Sequence, residues 1–513
     1  MASTESFIGI DVGTSSIKVS LVDGAGRVQA VASEGYRLEH PVQGWAEQDA
    51  EVWWAALINA VAHLQQRVGA AGLQNVQAIG LSGQMHTLVL LDTSGRPLRP
   101  AISWTDQRTV AECDFLRRNL LDEVFACTAN PPSTGYTLPK LLWVKKHEPE
   151  VFSRIATLML PKDYIRFLLT GEVATDYCDA SATLLFDPAA MQWSDQLLST
   201  LGIDRKIMPA VLPAAEVAGV LTDPVAHLLN LPAGLPVYVG SGDVAAGWLS
   251  FTAGAADSAA GLSLGSGALF VVPSAEPTTD PHQRLNLLCD GIAGRWLVMA
   301  AIQNAGIAID WYLEHVLQGL RLSGTEPERP DYNAINSRVA ALPAGADGLL
   351  FLPYLTGERT PHMDEKAAGV FFGLRTTHSG LHLYRALLEG IAFALRDALS
   401  VVESLGLAAD PIITGGGGAA NQALLAILSS VIERSLTVST QTDASVRGAA
   451  LYAIRGLDPG GYKDRIAHVA DEPSVIEPTQ SDIRRYRSRF SVYQNLYDSL
   501  KQSFQLSWEN EQG

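Results

Sequence analysis

Three glycine-bearing stretches of this chain collect the residue types that handle phosphate, and one aspartate stands between them. The first, DVGTSS at 11–16, places the carboxylate of Asp11, the hydroxyls of Thr14 and Ser15 and the bare backbone of Gly13 in a single turn. Glycine lets backbone approach an anion, hydroxyls and N–H groups donate to phosphate oxygens, and a carboxylate can hold hydrated Mg²⁺. An Asp/Gly/Ser-rich hairpin turn uses the same letters, so partners elsewhere must decide. The second stretch repeats the theme, with an apolar run, the turn Gly265, Ser266 and Gly267, and another apolar run. The third sets Gly415 to Gly418 between a strand-like and a helix-like segment. A flat ligand can lie against such backbone, and Asn421 just beyond can hydrogen-bond a base or a ribose. A flexible linker is the plainer reading of the same glycines. The aspartate is Asp243, in GSGDVAAG, at what reads as a domain junction.

A second group of residues suits a polyol. Gln84, Met85 and His86 follow the strand predicted at Val76 to Leu81, and open α/β sheets bind ligands off the carboxyl ends of their strands. A core-packed Met85 and an ordinary hydrogen-bonded His86 explain that pair equally well. In SWTDQR, residues 103–108, Trp104 sits beside Asp106 and Arg108. An indole face next to a carboxylate and a guanidinium matches the C–H faces and hydroxyls of a sugar. A capping Asp106 and a surface Arg108 are the alternative.

The elements that must position these groups follow from periodicity. Strands at Phe7 to Asp11 and Ile17 to Val22, with a third after DGAG, form a meander. Asp49 reads as the N-cap of a helix through residue 68. Prolines between 209 and 236 mark a junction, and two strand-turn-strand loops half a chain apart suggest two similar domains, 1–249 and 250–513. WLVMAAIQNAGIAIDW, residues 296–311, reads as a buried helix, because Gln303, Asn304 and Asp310 interrupt it. Residues 484–507 form a last amphipathic helix with Tyr486, Phe490, Tyr493, Tyr497 and Phe504 on one side.

With 513 residues, 47% hydrophobic and 18% charged, the chain has the composition of a well-buried multidomain protein. A formal charge of −17 argues against nucleic-acid or anionic-membrane partners. Its four cysteines show neither CxxC pairs nor zinc-finger spacing and fit buried thiols of a reducing compartment. No basic segment followed by an apolar core opens the sequence, so a cytoplasmic protein is expected.

Rival glycine motifs fail on their surroundings. No lysine is followed by Ser or Thr, which excludes a Walker loop. GSGDVA matches the dinucleotide fingerprint GxGxxA but would aim Asp243 into the pyrophosphate. GLSLG matches a serine-hydrolase elbow, yet ALFVVPS after Gly267 reads as a strand where the elbow needs a helix. A sugar sensor that has lost its chemistry is the non-catalytic alternative, and it has no need of an acid at position 243.

Taken together, DVGTSSIK, SGQMH, SWTDQR, GYTLPKLLWVKKH, PKDYIRFLLTGE, GERTPH, GVFFGLRTTHSGLHLYRALLE and GGGGAAN resemble the FGGY carbohydrate kinases over essentially the whole chain, nearest their xylulokinase branch. The resemblance implies an α/β fold of two actin-like, ribonuclease-H-like domains around a central cleft. It implies transfer of the γ-phosphoryl of ATP to a ketopentose, D-xylulose before others, with ATP and Mg²⁺ as cofactors. By the same resemblance Asp243 is the base and touches both sugar and metal, and Asp11 orients Mg²⁺ through water. Gly13, Thr14, Ser15, Lys18, Gly265, Ser266 and Gly267 hold phosphates, and Gly416, Gly417 and Asn421 lie along adenosine. Gln84, Met85, His86, Trp104, Asp106 and Arg108 face the sugar. The expected partners are a small sugar and ATP, with no nucleic acid or membrane; a homodimer is left open. Two positions depart from the xylulokinase pattern: Val244 follows Asp243 where Asn is usual, and GSGA replaces GTSG at 265–268. The first leaves ribulose, a polyol or gluconate as alternative acceptors.

Overall fold

The computed structural model describes residues 5–317, 332–441, 443–467 and 474–512. Its first sheet is built from the opening meander, β1 (Ser6–Val12), β2 (Ser16–Asp23) and β3 (Val28–Gly35), joined by β4 (Val76–Gly83), β5 (Val217–Val220), β6 (Pro236–Tyr238) and β7 (Ser241–Gly242). The strand order is β5-β6-β4-β1-β2-β3, with β7 also paired to β4. β1, β2 and β3 are antiparallel, whereas β4 runs parallel to β1.

The second sheet repeats that plan with β8 (Ala260–Leu264), β9 (Ala268–Ser274), β10 (Asn286–Cys289), β11 (Trp296–Ile302), β12 (Ile412–Gly415), β13 (Leu436–Val438) and β14 (Ser474–Ile476), ordered β10-β11-β9-β8-β12-β13-β14. Antiparallel β8 and β9 flank Gly265 to Gly267, and β12 is parallel to β8. The duplicated theme read in sequence is thus a duplicated topology. One expectation fails here. Residues 296–302 are a strand paired along its full length to β9, and only Gly306–Trp311 is α-helical. A fully apolar run of this length satisfies a central strand as well as a helix, and the partner strand decides.

Alternation along β1 divides its side chains between two cores. Ile8, Ile10 and Val12 pack with Trp53, Leu57 and Leu64 of α1 (Ala50–Val68) and with Tyr164, Ile165 and Leu169 of α2 (Pro161–Thr170). Asp49 caps α1 as expected, accepting from the Glu51 N–H. On the opposite face Phe7 and Ala78 meet α3 (Asp243–Thr252) together with α6 (Ala444–Leu457). The second sheet is covered by α4 (Gly380–Ser404) and α5 (Gln422–Ile432), and on these packs α7 (Gln480–Gln512), whose Tyr486, Tyr493, Tyr497 and Phe504 are buried. Although α6 lies far along the chain, it seats on the first sheet. Side chains are absent where it crosses: a Cβ on Gly9 would lie 2.0 Å from the Val446 carbonyl oxygen, and one on Gly80 would lie 1.9 Å from that of Ala449.

Among the described residues, no helix is long and apolar enough to cross a membrane.

Candidate functional site

The turn after β1 is held from behind. Gly13 N–H donates to the Ser16 carbonyl at 3.0 Å, closing it. Tyr36 Oη and Gln84 Nε2 donate to the Gly13 carbonyl at 2.5 and 3.2 Å, and Gln48 Nε2 donates to that of Thr14 at 2.7 Å. These bonds fix the carbonyl side of the loop, while Ser15 is exposed on the other. Asp11 lies at the end of β1, opposite Lys18 of β2 and Ser82 of β4. Burial pushes its carboxyl up to about 6, with the Asp443 charge adding to this. Its Oδ1 is buried without a hydrogen-bond partner.

Pairing of β7 with β4 brings Asp243, the first residue of α3, to the same end of the sheet. Burial, then the charge of Asp11, raises its carboxyl to about 7. Two buried carboxyls driven upward, Asp243 in part by the charge of Asp11, are a fitting site for a cation, which would relieve both. Among the described residues no three His, Cys, Asp or Glu side chains gather as a metal cage. A Mg²⁺ ion here would keep most of its waters and lean on a phosphate.

Asp11, Lys18, Asp243, Gly416, Asp443 and Ser445 line one cavity of about 300 Å³ between the two sheets. A cavity of about 390 Å³ elsewhere, between residues 340–344 and the starts of α5 and α7, touches none of them. Gly416 has φ +88°, and a Cβ there would sit 2.5 Å from the Leu264 carbonyl oxygen, so this bend requires glycine. A Cβ on Gly417 would meet nothing within 4 Å, which leaves room for a ligand. Gly265 and Ser266 are exposed, and their carbonyls accept from the N–H groups of Gly306 and Ala305 at 3.0 and 2.9 Å. Asn421 is corrected in part. Its side chain accepts from Leu424 N–H at 3.1 Å as the N-cap of α5, which commits the amide oxygen and leaves the amide N–H groups for a base or a ribose.

The sugar-facing expectations divide sharply. His86 has φ +66° and keeps some exposure; its Nδ1 is 2.7 Å from the Ala182 carbonyl oxygen and its ring meets Tyr136 edge-on. Burial lowers its pKa to about 4, so it is a neutral hydrogen-bonding group. Lys140 Nζ and Thr137 Oγ1 donate to the His86 carbonyl at 3.3 and 3.1 Å and hold the unusual backbone in place. Trp104 is 38% exposed, and its Nε1–H donates to Thr14 Oγ1 at 2.9 Å, which joins the indole to the phosphate-type turn.

Gln84, Asp106 and Arg108 are corrections. Gln84 is buried and spends its amide on Gly13, Gln48 and Thr87. Asp106 is sealed, accepting from the Arg108 guanidinium and the Ala46 N–H. Arg108 stacks on Trp45 and Trp143 and pairs with Glu47 at 2.7 Å. A guanidinium held by two carboxylates and two indoles is committed to packing inside the protein. Met85 is also buried, packed so closely on Gly242 that a Cβ there would be 2.7 Å from its Cγ.

Three features escaped the sequence. Asp443 forms an ion pair with Lys18 at 2.7 Å across 425 positions, which only the fold can bring together. Asn286 of the second sheet donates to the Tyr136 hydroxyl at 2.8 Å, so the ring that meets His86 is held from the other half of the chain. Behind Asp243, Ser241 Oγ donates to Asp176, which shares the buried Lys162 ammonium with Asp163 and Asp179. The run PKDY was visible, but not that its charges are internal and brace the strand leading to Asp243.

Known proteins share this layout. Xylulose kinase of Escherichia coli (strain K12) is 35% identical over 506 residues, 97% of this chain and 98% of that protein. A solved xylulose kinase from Rhodospirillum rubrum superposes with a TM-score of 0.89 at 31% identity, covering 98% of this chain and all of that one (100%). A gluconate kinase from Lactobacillus acidophilus does so at 0.88 and 25%, covering 98% and 99%. Residues 6–250 match the N-terminal domain, and residues 260–457 the C-terminal domain, of the FGGY family of carbohydrate kinases. The chain belongs to that family and is a carbohydrate kinase of two ribonuclease-H-like domains, with ATP and a sugar as its substrates.

Proposed function

We propose that the protein phosphorylates a ketopentose, D-xylulose before others, with Mg²⁺ and ATP, and that Asp243 is the base. The observation that carries this reading is the meeting of Asp243, Asp11 and Gly416 around one cavity. Phosphoryl transfer asks a protein mainly for positioning and charge neutralisation. In this reading the first 249 residues hold the sugar through His86, Trp104 and Asp243. The remainder holds ATP along Gly265 to Gly267 and Gly416 to Asn421. Asp11 would accept from water on Mg²⁺, which when bound neutralises phosphate charge. Lys18 and the turn at Gly13 to Ser15 would meet the phosphates. Asp243 would take the proton of the attacking hydroxyl and aim its oxygen. The need for ATP and the free cysteines, three of them buried, favour the cytoplasm; light scattering on purified protein reads whether it pairs as a homodimer.

The pH dependence follows from Asp243. A base works ionised, so with its carboxyl raised to about 7, kcat/KM for the sugar is expected to fall as pH drops through 7. Bound Mg²⁺ stabilises the anion, so the fall in kcat should lie at lower pH. Initial rates across pH 5–9, at limiting and at saturating sugar, check both; a flat acid side removes Asp243 as the base.

Gluconate is the second reading, because relatives that act on it share the fold and because Arg359 is exposed with its charge felt at His86 and Tyr136. That cation suits a sugar carboxylate. A coupled ADP-release assay with Mg²⁺-ATP against pentuloses, polyols and gluconate is expected to give the highest kcat/KM for D-xylulose. A higher value for gluconate transfers the assignment to the sugar acid, and no sugar-dependent ADP release at all removes both.

A further inference from the structure

We propose that Asp443 is a positioning residue that holds the Lys18 ammonium off Asp11, and the inference rests on the metal-phosphate reading of the cleft given above. Asp11 and Lys18 are directly opposite in the antiparallel β1–β2 pair, so their side chains leave the same face of the sheet. Opposite charges in that relation attract one another. An ammonium resting on Asp11 would cancel the carboxylate that is to receive metal-bound water.

The geometry points the ammonium elsewhere. Lys18 Nζ lies 2.7 Å from Asp443 Oδ1, and Asp11 Oδ1 is left buried without a hydrogen-bond partner. Asp443 immediately precedes α6, where an aspartate side chain ordinarily caps the helix. Its side chain makes no capping bond. Its place relative to β1 is fixed, because α6 rests on Gly9 and Gly80 through the carbonyls of Val446 and Ala449. The charged groups around the cavity are Asp11, Asp243, Asp443 and the single cation Lys18 among its lining residues. Asp443 thus parks that cation at the cavity edge, where phosphate charge arrives, and leaves Asp11 open.

The test is Mn²⁺ uptake in the presence of ADP, read from the loss of the free Mn²⁺ signal by electron paramagnetic resonance on the full chain. In Asp443→Asn, Lys18 is expected to turn to Asp11 and weaken Mn²⁺ uptake roughly two- to fivefold, the range of a close ion pair near the surface. Adding Lys18→Met to that variant is expected to return uptake to the level of Lys18→Met alone, since no ammonium remains to cover Asp11. Asp443→Ser, whose hydroxyl can cap α6, gives the same reading if the asparagine variant folds poorly. Equal uptake by parent and Asp443→Asn overturns the inference while sparing the metal reading. A double variant as weak as Asp443→Asn also overturns it, because Asp443 would then act on the metal itself. If the parent with ADP takes up no Mn²⁺, the metal reading and this inference fall together.

Discussion

Replacing Asp243 by alanine is expected to lower sugar-dependent turnover by about 10²- to 10⁴-fold, the usual contribution of a placed general base, while ADP affinity stays close to that of the parent. The two effects separate because Asp243 stands at the start of α3 on the first sheet, whereas the glycine bends proposed for nucleotide follow β8 and β12 of the second. Coupled ADP release and calorimetric titration with ADP check them. Near-normal turnover would take the residue out of the chemistry.

Stability should move the other way. A carboxyl raised from an ordinary 3.8 to about 7 favours the folded state when protonated, and that advantage is lost as pH rises through 7. Asp243→Asn, neutral at every pH, is therefore expected to melt a few degrees above the parent at pH 8. The gain should shrink toward pH 4. Melting curves at the two pH values read the sign directly, and a parent that melts higher at pH 8 would contradict a buried carboxylate at 243.

Gly80→Ala is expected to have the largest effect on folding. The new Cβ would lie 1.9 Å from the Ala449 carbonyl oxygen and 2.7 Å from its carbon, so backbone must move. Overpacking against side chains costs about 1–3 kcal/mol, and a clash with a helix backbone at the centre of a sheet belongs at or beyond the top of that range. Gly460→Ala is the matched control. A Cβ there meets nothing within 4 Å, and its φ is not in the left-handed region, so a change within about 1 kcal/mol of the parent is expected. Urea unfolding followed by circular dichroism compares the pair. Equal midpoints would mean that α6 does not press on β4. Because α6 also carries Asp443 to the cavity, the glycine variant should lose activity along with stability.

Much of the fold was legible. The meander, the cap at Asp49, the two strand-turn-strand loops and the Gly-rich bend before α5 all rest on contacts between near neighbours in the chain. Turn chemistry and alternation report such contacts well. The strand at 296–302 was not legible, because a continuous apolar run of seven residues carries no period and only pairing with β9 orients it. The polar cluster at 103–108 misled for a related reason. Asp106 and Arg108 have the letters of a binding site, but Glu47, Trp45 and Trp143 close over them from other elements.

Sequence alone therefore determined the kinds of groups available: glycine bends able to accept phosphate, acids at 11 and 243, a histidine and an indole past strand ends, and the order of the elements that bear them. Tertiary structure decided which of those groups remain free. Lys18 meets Asp443, Asp11 keeps an unpartnered oxygen, and Arg108 is taken up by Trp45, Trp143 and Glu47 because charge pairing and burial depend on distance in space, and residues 425 positions apart reach 2.7 Å only once both halves of the chain have folded.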